Sequence, residues 1–433
     1  MPSARFASAR PAAISAGIGG ILVAAAITVP HVQNADVRVH WPPLHADWMP
    51  RFGPMSLIAI AVGLVLWLAL PGLCARLSWP AVLLTTYAAT WSWIMALAYV
   101  DGPDGLRRVF DRGGEYVYDA QRVDSIPHMV RTFIDHIPMD SADHWHTHVA
   151  GHPPGALLFF VLLDRLGLTS TLWIGVVVVS IGATAVVAAI VALRAMGNER
   201  LARSAVPWLV LAPSAIWMGV NADALFTAVA AWGLCLLAIA GKTGRRLPAM
   251  AGGLLLGLCV FLSYGLVLLA VPALAVLWIC RTWRPLPWAV GGALAVTAMF
   301  TLAGFSWWEA YPVLVDRYYD GIASERAYGY WVWANVAAWT FTVGLAVWAA
   351  LPSIPHEIRR RNPLAMLAAA CLAAIVIADL SGMSKAEVER IFLPFTLWIV
   401  VLPALLPRTW QRPLLLSQVI LALVVQHLVL TRW

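Results

Sequence analysis

Runs of about 17 to 24 apolar residues recur along most of this 433-residue chain, the length that carries a helix across the hydrocarbon core of a bilayer. In lipid every backbone N–H and C=O must be paired within the segment. Such runs are therefore helices, and a β-branched stretch such as "IGVVVVSIGATAVVAAIVAL" is not a strand. With 61% hydrophobic and 12% charged residues the chain is not a water-soluble globule. The fold class this implies is an all-α integral membrane protein. The spacing predicts about thirteen transmembrane helices, near 15–30, 55–73, 79–100, 171–194, 203–219, 222–240, 247–262, 264–280, 286–304, 332–352, 363–380, 389–406 and 412–430. The first run has a basic start and no A-x-A site after it, and reads as a retained anchor.

The short loops sort by charge. Arg194, Arg200, Arg203, Arg245, Arg246, Arg359, Arg360 and Arg361 fall on one side, with only Glu199 and Glu357 as acids there. The positive-inside rule makes that side cytoplasmic and the amino terminus inner. The formal charge of +7 is then a topology signal, and nucleic acid is not expected as a partner. The segment 153–168, "PPGALLFFVLLDRLGL", is apolar but short and carries Asp164 and Arg165. Had it crossed, Arg194, Arg200 and Arg203 would lie outside, so it reads as an interfacial or re-entrant helix on the outer face.

Three parts follow. Residues 1–78 hold two helices and an outer loop, 31–54. Residues 79–304 form a core with the outer loop 101–152. Residues 305–433 hold the remaining helices and the outer loop 305–331, with a shorter outer segment at 379–390. The five cysteines lie in or beside apolar runs without a CxxC pair, so they are small apolar filler. No G-x-x-x-x-G-K-[ST] motif is present, and nothing points to direct use of ATP.

Polar chemistry gathers in the outer segments. The 101–152 loop alone carries nine acids, five arginines and six of the eleven histidines. Asp101 sits where the third helix reaches the outer surface. Partial desolvation there makes a carboxylate a better proton acceptor, although "DGPDG" is also what a turn uses. Asp104, Glu115 and Asp119 lie nearby. In "DHWHTHVAGHPPG" an extended backbone would point His144, His146 and His148 to one face. No cysteine or evident carboxylate completes a ligand set, so no metal is assigned. His148 and His152 are the two expected to face a site. Asp223 in "GVNADALF" either caps its helix or binds an acceptor. In "SGMSKAEVERIFLPF", Lys385 and Arg390 are rare outer-face cations. Their partner is either an acid such as Glu387 or an anionic ligand such as a phosphate. Trp307, Trp308, Trp331 and Trp333 flank the 305–331 loop and offer rings to a sugar or a lipid.

The order of these features resembles the C-type, multi-spanning glycosyltransferases that use polyprenyl-phosphate sugars. An acid ends an early outward helix, an outer loop leads into "GHPPG" and a short amphipathic helix, and "GVNADALF", "GLCVFLSYGLVLLAVPAL" and later "EVERIFLPF" follow. The composition, 27 Arg against 2 Lys, fits an actinobacterium. Within that group the chain is similar to mycobacterial cell-envelope enzymes, and "DGPDG", "GHPPG" and "SKAEVERI" are most like the methylthioxylose transferase type. The resemblance implies a plasma-membrane enzyme with its site on the extracytoplasmic face. A polyprenyl monophosphate carries the donor sugar, and an envelope polysaccharide or glycolipid such as lipoarabinomannan accepts it. Asp101, or Asp104 as second choice, would take the acceptor proton. Lys385, Arg390 and His148 or His152 would steady the departing phosphate. Two extra helices precede the core, a departure that leaves the choice of acid open. No cofactor is implied. The rival reading is a transporter or flippase of lipid-linked sugars. It expects polar residues at the midplane and internal repeats, whereas here the helix interiors are almost free of charge.

Overall fold

In the computed structural model, residues 9–432 are described. Apart from one two-stranded ribbon, the chain is an all-α membrane protein. Among the described residues seven helices are long and apolar enough to cross a membrane: Ala9–Gln33, Pro54–Arg76, Trp79–Asp101, Thr171–Met196, Ala222–Thr243, Tyr328–Arg359 and Pro363–Leu380. The pair Leu286–Leu302 and Trp307–Asp320, bent by 74°, makes an eighth if it is one span.

Several expected crossings are not continuous helices. The 203–219 run is a helix Glu199–Val210 followed by a short turn of helix Ala215–Met218. Pro213 lies between them, lacks an N–H and disfavours helix in the residue before it. The 389–406 run is likewise broken into Val388–Ile391, Leu393–Thr396 and a 3₁₀ turn at Leu402–Leu405, where Pro394 and Pro403 interrupt the ladder. The 264–280 run starts as 3₁₀ helix, Tyr264–Leu269, before Ala270–Ile279. The 153–168 segment forms a 12-residue helix, Pro154–Arg165, roughly 18 Å long and too short to span. Arg165 at its end donates to the carbonyls of Val123 and Asp124, at 2.6 and 2.8 Å, so the helix is tied to the 101–152 loop.

Ala222–Thr243 is the central helix. It packs against Thr171–Met196 on one side and Arg246–Leu262 on the other. Asn221 caps it, its side-chain oxygen accepting from the N–H of Ala224 at 3.3 Å. Between Arg246–Leu262 and Leu286–Leu302 the contact is made by small residues. A Cβ on Gly253 would come within 2.0 Å of the Ala289 carbonyl oxygen, and one on Gly292 within 2.4 Å of that of Met250. Close backbone approach of this kind is how helices gain packing energy in lipid, where burial itself offers little.

The segments expected outside find one another. Residues 46–48 pair antiparallel with 429–431, in register Ala46↔Thr431, Asp47↔Leu430 and Trp48↔Val429. Arg38 pairs with Glu325 at 2.5 Å. The basic segments meet among themselves too: Arg203 pairs with Glu199 at 2.6 Å and donates to the carbonyls of Cys74 and Leu77. The outer segment 305–331, expected as a loop, is largely the helix Trp307–Asp320. Trp307 stacks on Tyr311 with ring centres 5.3 Å apart, whereas Trp331 is fully buried.

The small-residue seam yields a direct test. Gly253→Leu should lower the unfolding free energy of the detergent-solubilised protein by about 3 kcal/mol, the upper range for overpacking. Gly291→Leu, where an added Cβ meets nothing within 4 Å, should change it by less than about 0.5 kcal/mol. Equal melting temperatures for the two variants would show that the seam is not tight.

Candidate functional site

Arg390 is the hub of the polar chemistry. Its Nη1 donates to Asp223 Oδ2 at 2.6 Å and its Nη2 to Glu387 Oε2 at 2.7 Å. Nη2 also lies 3.5 Å from His148 Nδ1. Since a guanidinium only donates, that contact requires Nδ1 to accept, which puts the neutral ring's proton on Nε2. His148 Nε2 in turn lies 3.3 Å from Glu115 Oε1. All five side chains are buried or nearly so, with Arg390, Asp223 and Glu115 each 7% exposed.

Local structure sets each of them. Asp223 stands in the first turn of the central helix, where a carboxylate is favoured by the helix dipole. Ala386 and Glu387 both adopt left-handed backbone, φ 70° and 65°, which costs on the order of 1 kcal/mol each for residues that are not glycine. The turn is held by Asn335, whose oxygen accepts from the Ala386 N–H at 3.1 Å and whose amide donates to the Ser384 carbonyl at 2.6 Å and to Asp379 at 2.7 Å. That turn aims Glu387 and Arg390 back at the central helix.

A second shell of charge leans on Glu387. His45 Nδ1 lies 3.2 Å from Glu387 Oε1, and Arg326 Nη1 lies 3.5 Å from the same oxygen. Burial pushes the Glu387 carboxyl up, but the His45 bond and the Arg390 and Arg326 guanidiniums outweigh it and hold the group well below the usual carboxylate range. Glu115 behaves in the opposite way. Burial dominates, the distant pull of Arg390 is weaker, and its carboxyl is pushed up to about 8. Burial, with Arg390 adding to it, pushes the His148 imidazole down to about 3, so the ring is neutral at physiological pH. His152 is also lowered by burial. Its Nδ1 donates to the His148 carbonyl at 2.7 Å, and its ring packs against Tyr116 and Phe226.

The expected residues divide into groups. Asp223, Glu387, Arg390, His148 and His152 converge. Lys385 is buried beside them, yet its Nζ donates to the Ala323 carbonyl at 2.9 Å and lies over the Tyr319 ring, 5.1 Å from its centre. Asp101 belongs to a neighbouring group. Arg51 donates to both of its oxygens, and Arg108 Nη1 approaches at 3.4 Å. Asp104 is exposed and pairs with Arg107 at 2.7 Å. The histidine stretch is not extended: residues 147–150 are helical, so the rings diverge. His146 bonds Asp119 at 2.9 Å, His144 points to the Ser141 carbonyl, and His148 turns to Glu115. Among the described residues no three His, Cys, Asp or Glu side chains are grouped to hold a metal ion.

Sequence reasoning passed over Glu115 as more than a neighbour, and missed His45, Arg326, Arg51 and Arg108. Nothing local distinguishes "GGEYVYD" as buried; only the packing of the 101–152 loop under the Arg390 turn does so. The two groups are linked. The charge of Arg112 bears on Glu115 on one side and on Arg108 and Arg432 on the other. His45 touches Glu387 through its ring, and its carbonyl accepts from the Arg432 N–H at 3.3 Å. Beside Asp101 lies a small cleft, with room for about one water molecule, lined by Asp101, Asp104, Arg108 and Arg432.

Arg390→Gln should cost about 3–5 kcal/mol, because Asp223 would stay buried without its cation and Glu387 would keep only Arg326 and His45 beside it. Asp104→Asn, on the surface, should cost less than about 0.5 kcal/mol. Chemical unfolding in a mild detergent distinguishes them, and a stable Arg390→Gln variant would mean the cluster is open to water. No family model, curated protein or solved structure matches the chain.

Proposed function

We propose that the protein is an inverting glycosyltransferase of the plasma membrane, working on the extracytoplasmic face. It moves a sugar from a polyprenyl monophosphate to a cell-envelope glycan or glycolipid acceptor. The observation that carries this reading is the buried network of Glu115, His148, Arg390, Asp223 and Glu387, brought together from the segments read as outer. Transport chemistry would place its polar groups along the bundle axis. The resemblance noted in the sequence supplies the substrate class, with methylthioxylose onto lipoarabinomannan as its most specific form. In this reading the chain makes thirteen crossings, with the proline-broken segments counted, and its amino terminus is cytoplasmic.

The reaction needs a base, an attacking oxygen and a stabilised leaving group. The acceptor hydroxyl loses its proton to a carboxylate. Its oxygen attacks the anomeric carbon, and the bond from that carbon to the phosphate oxygen breaks. The electron pair leaves with the polyprenyl phosphate, and the anomeric centre inverts. Two carboxylates compete for the proton. Both oxygens of Asp101 are engaged by guanidiniums, so it anchors Arg51 and Arg108. Glu115, whose affinity for a proton is raised by burial, is the base in this scheme. Neutral His148 orients Glu115 from one side, and Arg390 carries the positive field at the leaving phosphate. Asp223 and Glu387 hold that guanidinium in place. His152 fixes the backbone at His148, and Lys385 secures the 381–390 turn.

Two measurements test this. Membranes are given a radiolabelled polyprenyl-phosphate sugar. The wild type should label endogenous glycan and Glu115→Gln should fall by roughly 10²–10⁴-fold, the usual worth of a general base. A base must be unprotonated, so the rate should climb with rising pH and level off above about 8. Asp101→Asn losing all activity while Glu115→Gln keeps it would return the role to Asp101, and no transfer by the wild type would remove the enzyme reading. For topology, Glu325→Cys in a cysteine-free background should react with an impermeant maleimide in intact cells, and Arg360→Cys only after lysis. The reverse pattern would invert the orientation.

A further inference from the structure

The strand 429–431 of the ribbon borders the cleft beside Asp101, and arginines gather there. Arg108 and Arg432 line the cleft. Arg112 Nη1 donates to the Arg432 carbonyl at 2.7 Å, so a third guanidinium arrives at the same place. Burial first, and then repulsion from Arg108 and Arg432, hold the Arg112 guanidinium below its ordinary pKa.

The acids facing this group are shared with other partners. Asp101 accepts from Arg51 at both oxygens and from Arg108 at 3.4 Å, so one carboxylate serves two guanidiniums. Arg107 takes Asp104 at 2.7 Å. Asp47 lies 2.5 Å from His40 and 3.6 Å from Arg432, and Arg432 Nη2 also meets His40 Nδ1 at 3.0 Å. Glu115, the remaining neighbour of Arg112, is largely protonated at neutral pH. Three guanidiniums thus share less negative charge than they carry. A tetrahedral oxyanion would relieve their repulsion and match their donor geometry.

The surroundings indicate where that anion comes from. Trp48, Met49 and Phe52, at the end of the 46–48 strand and just after it, stand 56%, 51% and 72% exposed. The helix that follows, Pro54–Arg76, is one of the least buried apolar helices of membrane-spanning length. Guanidiniums beside exposed apolar side chains, at the level where helices leave the bilayer, suit a headgroup whose chains lie alongside.

We propose that Arg108, Arg112 and Arg432 bind the phosphate of a membrane lipid beside the 46–48/429–431 ribbon, with Trp48, Met49 and Phe52 against its hydrocarbon. This site is distinct from the Arg390 network and does not depend on the glycosyl-transfer reading.

The test uses the full chain in nanodiscs of phosphatidylcholine doped with phosphatidylglycerol, with retained lipid counted by native mass spectrometry. The wild type should enrich phosphatidylglycerol about tenfold over its bulk share, which corresponds to roughly 1.4 kcal/mol. Combined Arg108→Gln, Arg112→Gln and Arg432→Gln should bring this to parity. Loss of the same number of charges at Arg359, Arg360 and Arg361 should leave it intact. Should the triple variant not fold, Arg432→Gln alone is expected to lower the enrichment about two- to threefold. Parity in the wild type, or full enrichment after loss of the guanidiniums, overturns the proposal. Millimolar inorganic phosphate should not displace the lipid. If it does so completely, the site belongs to a soluble oxyanion and the lipid assignment fails.

Discussion

One guanidinium organises the polar end of this molecule. Arg390 joins Asp223 at the head of the central helix to Glu387 in the 381–390 turn, and it reaches His148 in the 101–152 loop. Burying an ion is costly unless its partners are buried with it. Once Arg390 is excluded from water, its two carboxylates have no cheaper place to go, and the three segments are fixed together. The strained turn at Ala386 and Glu387 is tolerated because Asn335 holds its backbone from the neighbouring helix.

The same burial divides two glutamates into different chemistries. Glu387 is surrounded by His45, Arg326 and Arg390 and stays ionised. Glu115 meets a neutral imidazole, and burial pushes its carboxyl up. Environment, not residue type, separates a structural anion from a proton acceptor. Asp101 offers a third case, a carboxylate taken up by Arg51 and Arg108 at the edge of a cleft.

The ribbon of 46–48 with 429–431 ties these parts together. It brings Arg432 beside the Asp101 cleft, and the residue that precedes it, His45, bonds Glu387. A loop near one end of the chain and a segment near the other thereby become parts of one surface. Neither carries a local pattern that foretells the pairing, since three-residue strands leave almost no periodic signal.

Length and hydropathy of the runs determined the helices, because a chain in lipid has no other way to satisfy its backbone. Charge sorting likewise separated the outer segments from the basic ones. The short 153–168 helix and the polar clusters at 101–152 and 379–390 were legible for the same reason. Where prolines fall inside an apolar run, as at Pro213 and Pro394, hydropathy overran the true helix. Side-chain partnership was decided by tertiary structure alone. Lys385 drew attention as a rare cation and Asp101 as a proton acceptor, and they are engaged by Ala323 and Arg51, while Glu115, read only as a neighbour, and His45 joined the network. Sequence records which groups are costly to bury. Only the packed fold decides which are buried together, because the pairing energy depends on distances between residues hundreds of positions apart.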